Sequence, residues 1–352
     1  MHIFDYSFLK NKSISAKTLN MATSIYSLKT MAGVRKKEHI KAFTHLEKIA
    51  IIQSIKNSNA IEGIVTSDER IKAIVTKSSA PLNHNEAEII GYRDALNEIH
   101  NNNQYIGFTE FDILHLHEIL LSMTGYEYGG KYKDVDNAII EIDSQGNRKI
   151  RFATTPAKDT KNAMEQLALA YMEAVNDSEI NQLLLIPCVI LDFLCIHPFR
   201  DGNGRMSRLL SLLLLYKNGF DAGKYVSFEE QINKYKGLYY EALRLSSLNW
   251  HENNNDYFPF IENFLSTLYM CYKELDKRFA VINEGNVSKS ARVEATVLNS
   301  LTPISKKEIC DILPDVSPTT VEAVLGKMVR NGQIYKIGSA RSIKYLRYNK
   351  NN

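Results

Sequence analysis

The feature that most constrains this chain is a pair of strongly apolar segments, residues 182–196 and 206–216. A helix that is apolar on every side is stable only inside a core, so both segments are predicted to be buried helices. The segment that joins them, residues 197–208, is polar and reads HPFRDGNGRMSR. The chain is therefore predicted to carry a polar, glycine-containing loop that leads from one core helix into the N-terminus of the next.

The rest of the first 280 residues also carries helical patterns, with one exception. Apolar residues recur at close to a 3.6-residue period, and helices are predicted at residues 41–61, 86–100, 109–122, 156–175, 228–245 and 256–279. The exception is residues 138–152, where two apolar runs flank a polar stretch that contains Gly146 and Asn147, the pattern of a β-hairpin. The fold class is therefore predicted to be mainly α, a helical bundle with one β-hairpin.

A second pattern begins after residues 283–286, Asn-Glu-Gly-Asn, which are typical of a linker. Three helices are predicted there, at residues 292–301, at 305–312 and from Ser317 onward, followed by short strands at 334–337 and 343–346. Three helices and a β-wing indicate a small winged helix-turn-helix domain. The predicted divisions are an N-terminal helical region at residues 1–100, a core at 101–280, a linker at 281–288 and the winged helix at 289–352.

Charge also separates these two parts. The whole chain of 352 residues has a formal net charge of +3. From Ser288 onward, 11 Lys and Arg stand against 5 Asp and Glu, a net charge of +6. A basic module suits the phosphate backbone of DNA, although winged helices also dock on proteins.

Hydropathy bears on where the protein works. The longest fully apolar run, residues 183–191, is far shorter than the ~20 residues that cross a bilayer. The N-terminus lacks the basic stretch and apolar core of a secretory signal. A cytoplasmic protein without a membrane partner is predicted.

The loop at residues 197–208 combines the groups that a phosphate site needs. Unpaired backbone N–H groups at a helix N-terminus attract anions. Gly202 and Gly204 let the main chain curl around an anion without a Cβ in the way. Arg205 and Arg208 lie three residues apart in the first helical turn, so both can reach one polyphosphate.

Two further side chains of the loop supply chemistry. Asp201, its one carboxylate, suits Mg²⁺, which prefers phosphate oxygens and waters to an all-protein cage. His197 can take a proton from an incoming hydroxyl near neutral pH, which makes it the candidate general base. Each residue also has an ordinary interpretation, such as a turn or a surface ion pair. Their concentration in one short loop between buried helices favours a nucleotide site.

The loop fits the motif HxFx(D/E)GNGRxxR at every fixed position and so resembles the Fic family, a similarity that covers roughly residues 10–270. The resemblance implies AMPylation, in which the AMP of ATP passes to a Ser, Thr or Tyr hydroxyl of a target protein. It implies that His197 deprotonates the hydroxyl and Asp201 holds Mg²⁺. It also implies that Asn203 and the loop amides grip the α-phosphate region, while Arg205 and Arg208 hold the β- and γ-phosphates.

Residues 58–63, Ser-Asn-Ala-Ile-Glu-Gly, fit the family's inhibitory pattern, (S/T)xxxE(G/N), which begins at Ser58. Upstream of the loop, this pattern resembles the Fic class with a built-in inhibitory helix. Glu62 would then pair with Arg208 and occupy the place of the γ-phosphate, so that ATP binds without its productive tail. The alternative is a structural salt bridge at a helix end.

The predicted hairpin lies where Fic proteins carry a flap that aligns the target segment by strand addition. Residues 228–233 and 239–243 resemble the family's segment after the loop helix, which makes Asn233 and Tyr240 candidates for the adenosine side. An aromatic helix face packed in the core is the alternative. Candidate partners are a target protein on the flap, DNA or protein at the winged helix, and a second copy of the chain in a homodimer.

Two other functions fit parts of the same pattern. One is a DNA-binding transcriptional regulator with a regulatory Fic body; the basic winged helix supports it, but Glu322 stands where base-reading residues usually lie. The other is a different reaction at the same loop, namely phosphate or UMP transfer or removal of AMP from a modified protein. The intact Gly202-Asn203-Gly204 and both arginines favour a protein adenylyltransferase autoinhibited by Glu62.

Overall fold

The computed structural model describes residues 2–77, 79–142, 148–283, 287–300, 303–339 and 343–348. The helices are α1 (Phe8–Asn11), α2 (Ala16–Glu38), α3 (Ile40–Ile61), α4 (Asp68–Lys77), α5 (His84–Asn102), α6 (Glu110–Leu121), α7 (Ala157–Val175), α8 (Gln182–Ile196), α9 (Asn203–Lys217), α10 (Phe228–Lys234), α11 (Lys236–Ser246), α12 (Phe258–Asn283), α13 (Lys289–Asn299), α14 (Lys306–Ile312) and α15 (Pro318–Arg330). The strands are β1 (Ala138–Ile142), β2 (Arg148–Ala153), β3 (Ile304–Ser305), β4 (Ile334–Ile337) and β5 (Lys344–Arg347).

The two apolar segments form the centre of the fold, as predicted. Every residue of α8 from Leu183 to Ile196 is buried, and so is nearly all of α9. α9 begins at Asn203, three residues before the apolar run, so Gly204 and Arg205 are already helical. The polar loop thus lies between the two most deeply buried helices of the chain's described part.

Helix boundaries follow local capping. Thr109 caps α6 by accepting the Asp112 N–H, as its position predicts. Asn83 caps α5 by accepting the Glu86 N–H, so this helix begins two residues earlier than the predicted residue 86.

The prediction of one helix over residues 228–245 is wrong, because Tyr235 leaves the helical conformation with ψ 36. The break lets α10 pack on α3 while α11 packs on α12.

The predicted hairpin is present. β1 and β2 pair in antiparallel fashion, with a register shift between Ile139 and Ile140. The predicted turn residues Gly146 and Asn147 lie outside the described residues. The mainly helical fold with a β-hairpin is therefore confirmed. None of the described helices is long and apolar enough to cross a bilayer.

The C-terminal unit has a small core of its own. α12 runs to Asn283, three residues into the segment predicted as a linker, and residues 284–286 lie outside the description. α13, α14 and α15 pack beside a sheet of order β3–β5–β4. The same core includes Ala42 of α3, and the Lys41 Nζ lies 2.6 Å from the Asp311 carboxylate. The assignment of this unit as a winged helix-turn-helix stays a prediction.

Candidate active site

The loop between α8 and α9 is bent by two residues in the left-handed region. α8 ends where the His197 N–H donates to the Phe193 carbonyl at 3.0 Å, and His197 itself has φ 53. That conformation costs a non-glycine residue about 1–2 kcal/mol, so other contacts must hold it. Gly202, with φ 81, stands immediately before α9, where a Cβ would press on Leu120.

Asn203 closes the loop on itself. Its Nδ2 donates to the Phe199 carbonyl at 2.8 Å, and its Oδ1 accepts the Phe199 N–H at 2.9 Å. Phe199 is fully buried, so its ring anchors the loop in the core. The structure thus gives the Asn203 side chain a loop-shaping role, while its predicted contact with phosphate stays a prediction.

His117 of α6 supports the same loop, and no motif in the sequence marks it. Its ring stacks on Phe199 with the centroids 3.7 Å apart. The Gly130 N–H donates to His117 Nδ1 at 3.1 Å, so Nε2 carries the proton and donates to the Asp201 carbonyl at 3.1 Å. Burial lowers the pKa of His117 to about 4, which keeps this arrangement neutral and intact at pH 7.

His197 is set up as a base. Its Nδ1 lies 3.3 Å from the Leu194 carbonyl, which can only accept, so Nδ1 carries the proton and Nε2 has a free lone pair. Burial is the main cause that lowers the pKa of His197 to about 4, with a further contribution from Lys133. The imidazole is therefore neutral at pH 7, the state in which it can accept a proton.

A cleft of about 850 Å³ opens in front of this loop. Its size suits a nucleotide, since pockets for small ligands and cofactors usually measure ~300–1,000 Å³. The lining residues come from the loop, the end of α3, α5, α11 and the hairpin; they include Glu62, Glu88, Ile139, Ile140, Glu141, Arg151, Phe152, His197, Asp201, Gly202, Asn203, Gly204, Arg205, Arg208, Tyr239 and Tyr240. The structure thus brings together the loop motif, the inhibitory motif and the hairpin.

The predicted contact between Glu62 and Arg208 is present. The Arg208 Nη2 donates to Glu62 Oε1 at 2.8 Å and to the Ser58 carbonyl at 3.0 Å, while its Nε donates to Ser58 Oγ at 2.8 Å. A Cβ at position 204 would collide with the Glu62 carboxylate, so this anion lies directly on Gly204. The carboxylate therefore lies at the N-terminus of α9, where an anion is most favoured.

Arg205 points to different partners. Its Nη1 lies 2.5 Å from Glu88 Oε2 of α5, and its Nη2 donates to Asp201 Oδ2 at 3.2 Å. The guanidinium is almost fully buried, and this buried charge is balanced by Glu88, which sequence reasoning missed. Arg205 and Arg208 both line the cleft, and each is paired with a different carboxylate.

The two residues predicted for the adenosine side separate in the structure. Tyr240 lines the cleft and is 36% exposed. Asn233 is not among the described residues that line the cleft. It lies on the face of α10 that packs against α3, where its Nδ2 donates to Asn57 Oδ1 at 2.9 Å. Lys236, three residues further on, was not among the residues predicted from the sequence. The Lys236 Nζ donates to the carbonyl of Ile61, the residue before Glu62, at 2.6 Å.

The comparisons with known proteins agree with this fold and site. Residues 107–215 match the model of the Fic/DOC family. A Fic family protein from Desulfovibrio desulfuricans G20 has a structure that covers 97% of this chain and 98% of its own, with a TM-score of 0.64 and 20% identity. A Fic domain containing signaling protein from Bacteroides thetaiotaomicron covers 73% of this chain and 95% of its own, with a TM-score of 0.57 and 20% identity. Residues 107–215 thus match the Fic/DOC family, and the chain shares the fold of the two solved structures.

The names of two curated relatives state an activity, whereas the names of the two solved structures state only the family or the domain. Protein adenylyltransferase Fic from Nematostella vectensis is 28% identical over 229 residues, which is 61% of this chain and 46% of the relative. Protein adenylyltransferase Fic from Aedes aegypti is 28% identical over 244 residues, 62% of this chain and 40% of the relative. The chain thus spans less than half the length of both relatives.

Proposed function

We propose that this chain is a protein adenylyltransferase, which moves AMP from ATP to a Ser, Thr or Tyr hydroxyl of a target protein. The observation that carries the proposal is His197, a neutral imidazole with a free Nε2 that lines the cleft in the same loop as the N-terminus of α9. A base and a phosphate site in one loop are what nucleotidyl transfer requires. The names of the two curated relatives support the same reaction.

In the proposed reaction the target hydroxyl oxygen attacks the α-phosphorus of ATP, and His197 Nε2 takes the hydroxyl proton. A P–O bond forms between AMP and the target, while the bond from the α-phosphorus to the bridging oxygen of the β-phosphate breaks. Pyrophosphate leaves. The N–H groups at the start of α9, together with Arg205 and Arg208, hold the phosphates, so catalysis is mainly positioning and electrostatic stabilisation.

Asp201 fits the Mg²⁺ that such a reaction uses. Its side chain is 49% exposed on the cleft, and one carboxylate suits an ion that takes its other ligands from phosphate and water. Within the described ranges, no three His, Cys, Asp or Glu side chains converge into a cage that would hold a metal without the nucleotide. When bound, the ion would offset the charge of the phosphates.

Glu62 is proposed to inhibit this reaction. The Glu62 carboxylate and the γ-phosphate are both anions, and both would occupy the space above Gly204 beside Arg208. Ser58 holds the Arg208 guanidinium toward that space through two hydrogen bonds. ATP would therefore bind with its terminal phosphate displaced until Glu62 moves away.

The hairpin is proposed to hold the target. In the described part of the sheet, β1 and β2 pair only with each other, so each strand has a free edge. Ile139 and Phe152 line the cleft beside the base. An extended target segment added to one edge would be fixed by main-chain hydrogen bonds, which demand little of its sequence.

The test uses ATP labelled at either the α- or the γ-phosphate, incubated with the purified Glu62→Gly protein and with the same protein carrying His197→Ala. We expect the Glu62→Gly protein to retain label from the α position alone. The protein that also carries His197→Ala should retain none. Retention from the γ position would show phosphate transfer instead. No retention from either position would overturn the proposal and favour removal of AMP.

A further inference from the structure

Lys133 is a buried lysine that the proposed reaction does not use. It is 3% exposed, in the segment between α6 and β1. Its backbone N–H donates to the Pro198 carbonyl at 2.9 Å, and its Nζ donates to the Ile196 carbonyl at 3.1 Å. These carbonyls belong to the residues immediately before and after His197. One residue therefore holds the main chain on both sides of the base.

The same ammonium group reaches the base of the hairpin. Lys133 Nζ donates to Asn137 Oδ1 at 2.8 Å and to Thr154 Oγ1 at 2.9 Å. Asn137 directly precedes β1, and Thr154 directly follows β2. Asn137 Nδ2 in turn donates to the Phe199 carbonyl at 3.0 Å. The three N–H donors of the Lys133 ammonium group are thus matched by three acceptors, two that flank the hairpin and one at the C-terminus of α8.

We infer that Lys133 is a positioning residue for AMP transfer, which fixes His197 relative to the hairpin that presents the target hydroxyl. The inference rests on the proposed function. His197 is held in a left-handed conformation, and such a residue keeps its place only where its neighbours determine it. A general base must also stay within hydrogen-bond reach of its substrate, so an error of about 1 Å costs on the order of a hundredfold in rate.

Charge gives Lys133 a second effect that mere packing would not have. Burial lowers the pKa of Lys133 to about 8, partly offset by Asp136, so the side chain is mainly charged at pH 7. The charged groups that act on His197 are Lys133, which lowers its pKa, and Glu62 and Asp201, which raise it. Removal of the Lys133 charge should therefore raise the pKa of His197.

The kinetic test compares Lys133→Met, Lys133→Arg and the control Lys131→Met, all in the Glu62→Gly protein. Lys131 is an exposed lysine two residues away. Lys133→Met is expected to lower kcat by about tenfold to a hundredfold with little change in the KM for ATP, and to move the acid limb of the rate to higher pH. Lys133→Arg, which keeps the charge and the donors, should restore part of the rate. Lys131→Met should resemble its parent.

A second measurement needs no turnover, so it separates this inference from the proposed function. The His197 ring is titrated by NMR in the wild-type protein and in Lys133→Met, with Lys133→Gln replacing the latter if it does not fold. A higher His197 pKa in the variant supports the inference. It does so even if the wild-type protein transfers no AMP, because the absence of transfer would contradict the proposed function alone. An unchanged His197 pKa together with an unchanged kcat would overturn the role of Lys133.

Discussion

At the scale of single residues, Arg208 has one charge and two candidate anions. Its guanidinium binds the Glu62 carboxylate at 2.8 Å and is itself buried at the start of α9, whereas the Glu62 side chain is 33% exposed. A buried guanidinium stripped of its carboxylate partner is costly, so it should take any other anion that reaches it. ATP supplies such an anion in its γ-phosphate.

Glu62→Gly removes the competing carboxylate and leaves Arg208 free for the triphosphate. We expect AMP transfer, including self-modification, to rise by about tenfold or more, since a charged hydrogen bond is worth roughly 1.5–3 kcal/mol. Adding Arg208→Ala should abolish the gain. The measurement is protein-bound label from α-labelled ATP. A rate below wild type in Glu62→Gly would mean that Glu62 assists catalysis, for instance by orienting a water that removes AMP.

His197→Ala should abolish transfer and spare ATP binding, because the arginines and loop amides are the groups proposed to hold the phosphates. In the Glu62→Gly protein, we expect kcat to fall by about 10²–10⁴-fold and the Kd for ATP, measured by calorimetry, to stay nearly constant. His197 has a pKa lowered to about 4, so the parent's rate should show no loss of base activity between pH 8 and pH 6. Equal rates in parent and variant would remove His197 from the mechanism.

At the scale of elements, α3 is seated on α10 and α11 by polar contacts four residues apart. Gln53 Nε2 donates to Glu230, Asn57 Oδ1 accepts from Asn233, and the Ile61 carbonyl accepts from Lys236. The period of four keeps these groups on one helix face. The last contact also places a positive charge at the C-terminus of α3, where the helix dipole favours it.

Lys236→Met should loosen the end of α3 and so weaken the hold of Glu62 on Arg208. We expect a rise in AMP transfer that is smaller than the rise in Glu62→Gly, because the carboxylate is still present. Lys234→Met, whose side chain is exposed, is the matched control. In the Glu62→Gly protein, Lys236→Met should give no further gain. A gain there would show that Lys236 acts on the cleft directly and not through α3.

At the scale of the whole molecule, one buried carboxylate joins distant parts of the chain. Asp192, in the middle of α8, accepts hydrogen bonds from Tyr6 at 2.8 Å, from Trp250 at 2.7 Å and from Tyr257 at 2.9 Å. Burial raises its pKa to about 7, and the three hydrogen bonds limit that rise. The N-terminal segment and the segment before α12 are thus both tied to the central helix.

This network predicts a pH dependence of stability. The Asp192 pKa is raised from 3.8 to about 7 in the folded protein, so between those values the folded state binds more protons than the unfolded state. Asp192 should therefore contribute a fall in the free energy of unfolding as pH rises through this window, on the order of 2–4 kcal/mol. Asp192→Asn should lack that fall. The measurement is the free energy of unfolding of both proteins in urea at pH 4.5, 6 and 8. Parallel pH profiles of the two proteins would contradict the prediction.

The sequence by itself determined what depends on near neighbours along the chain. The motif at residues 197–208 is continuous, and two apolar helices confine it, so a candidate base and a candidate phosphate site could be predicted from the sequence alone. Thr109 marked a helix start and residues 138–152 marked the hairpin for the same reason, since capping and strand alternation are local. The partnership of Glu62 with Arg208 came from a resemblance, because 146 residues separate them.

Only the tertiary structure decided which distant side chains surround the loop. Glu88, His117 and Lys133 contact it from α5, α6 and the segment before the hairpin, and nothing in their local sequence distinguishes them from other polar residues. Asn233 was a candidate for the adenosine side, whereas the structure places its side chain against Asn57 of α3. Local patterns fix which face of a helix is apolar, whereas the packing of whole helices fixes what a polar side chain on that helix meets.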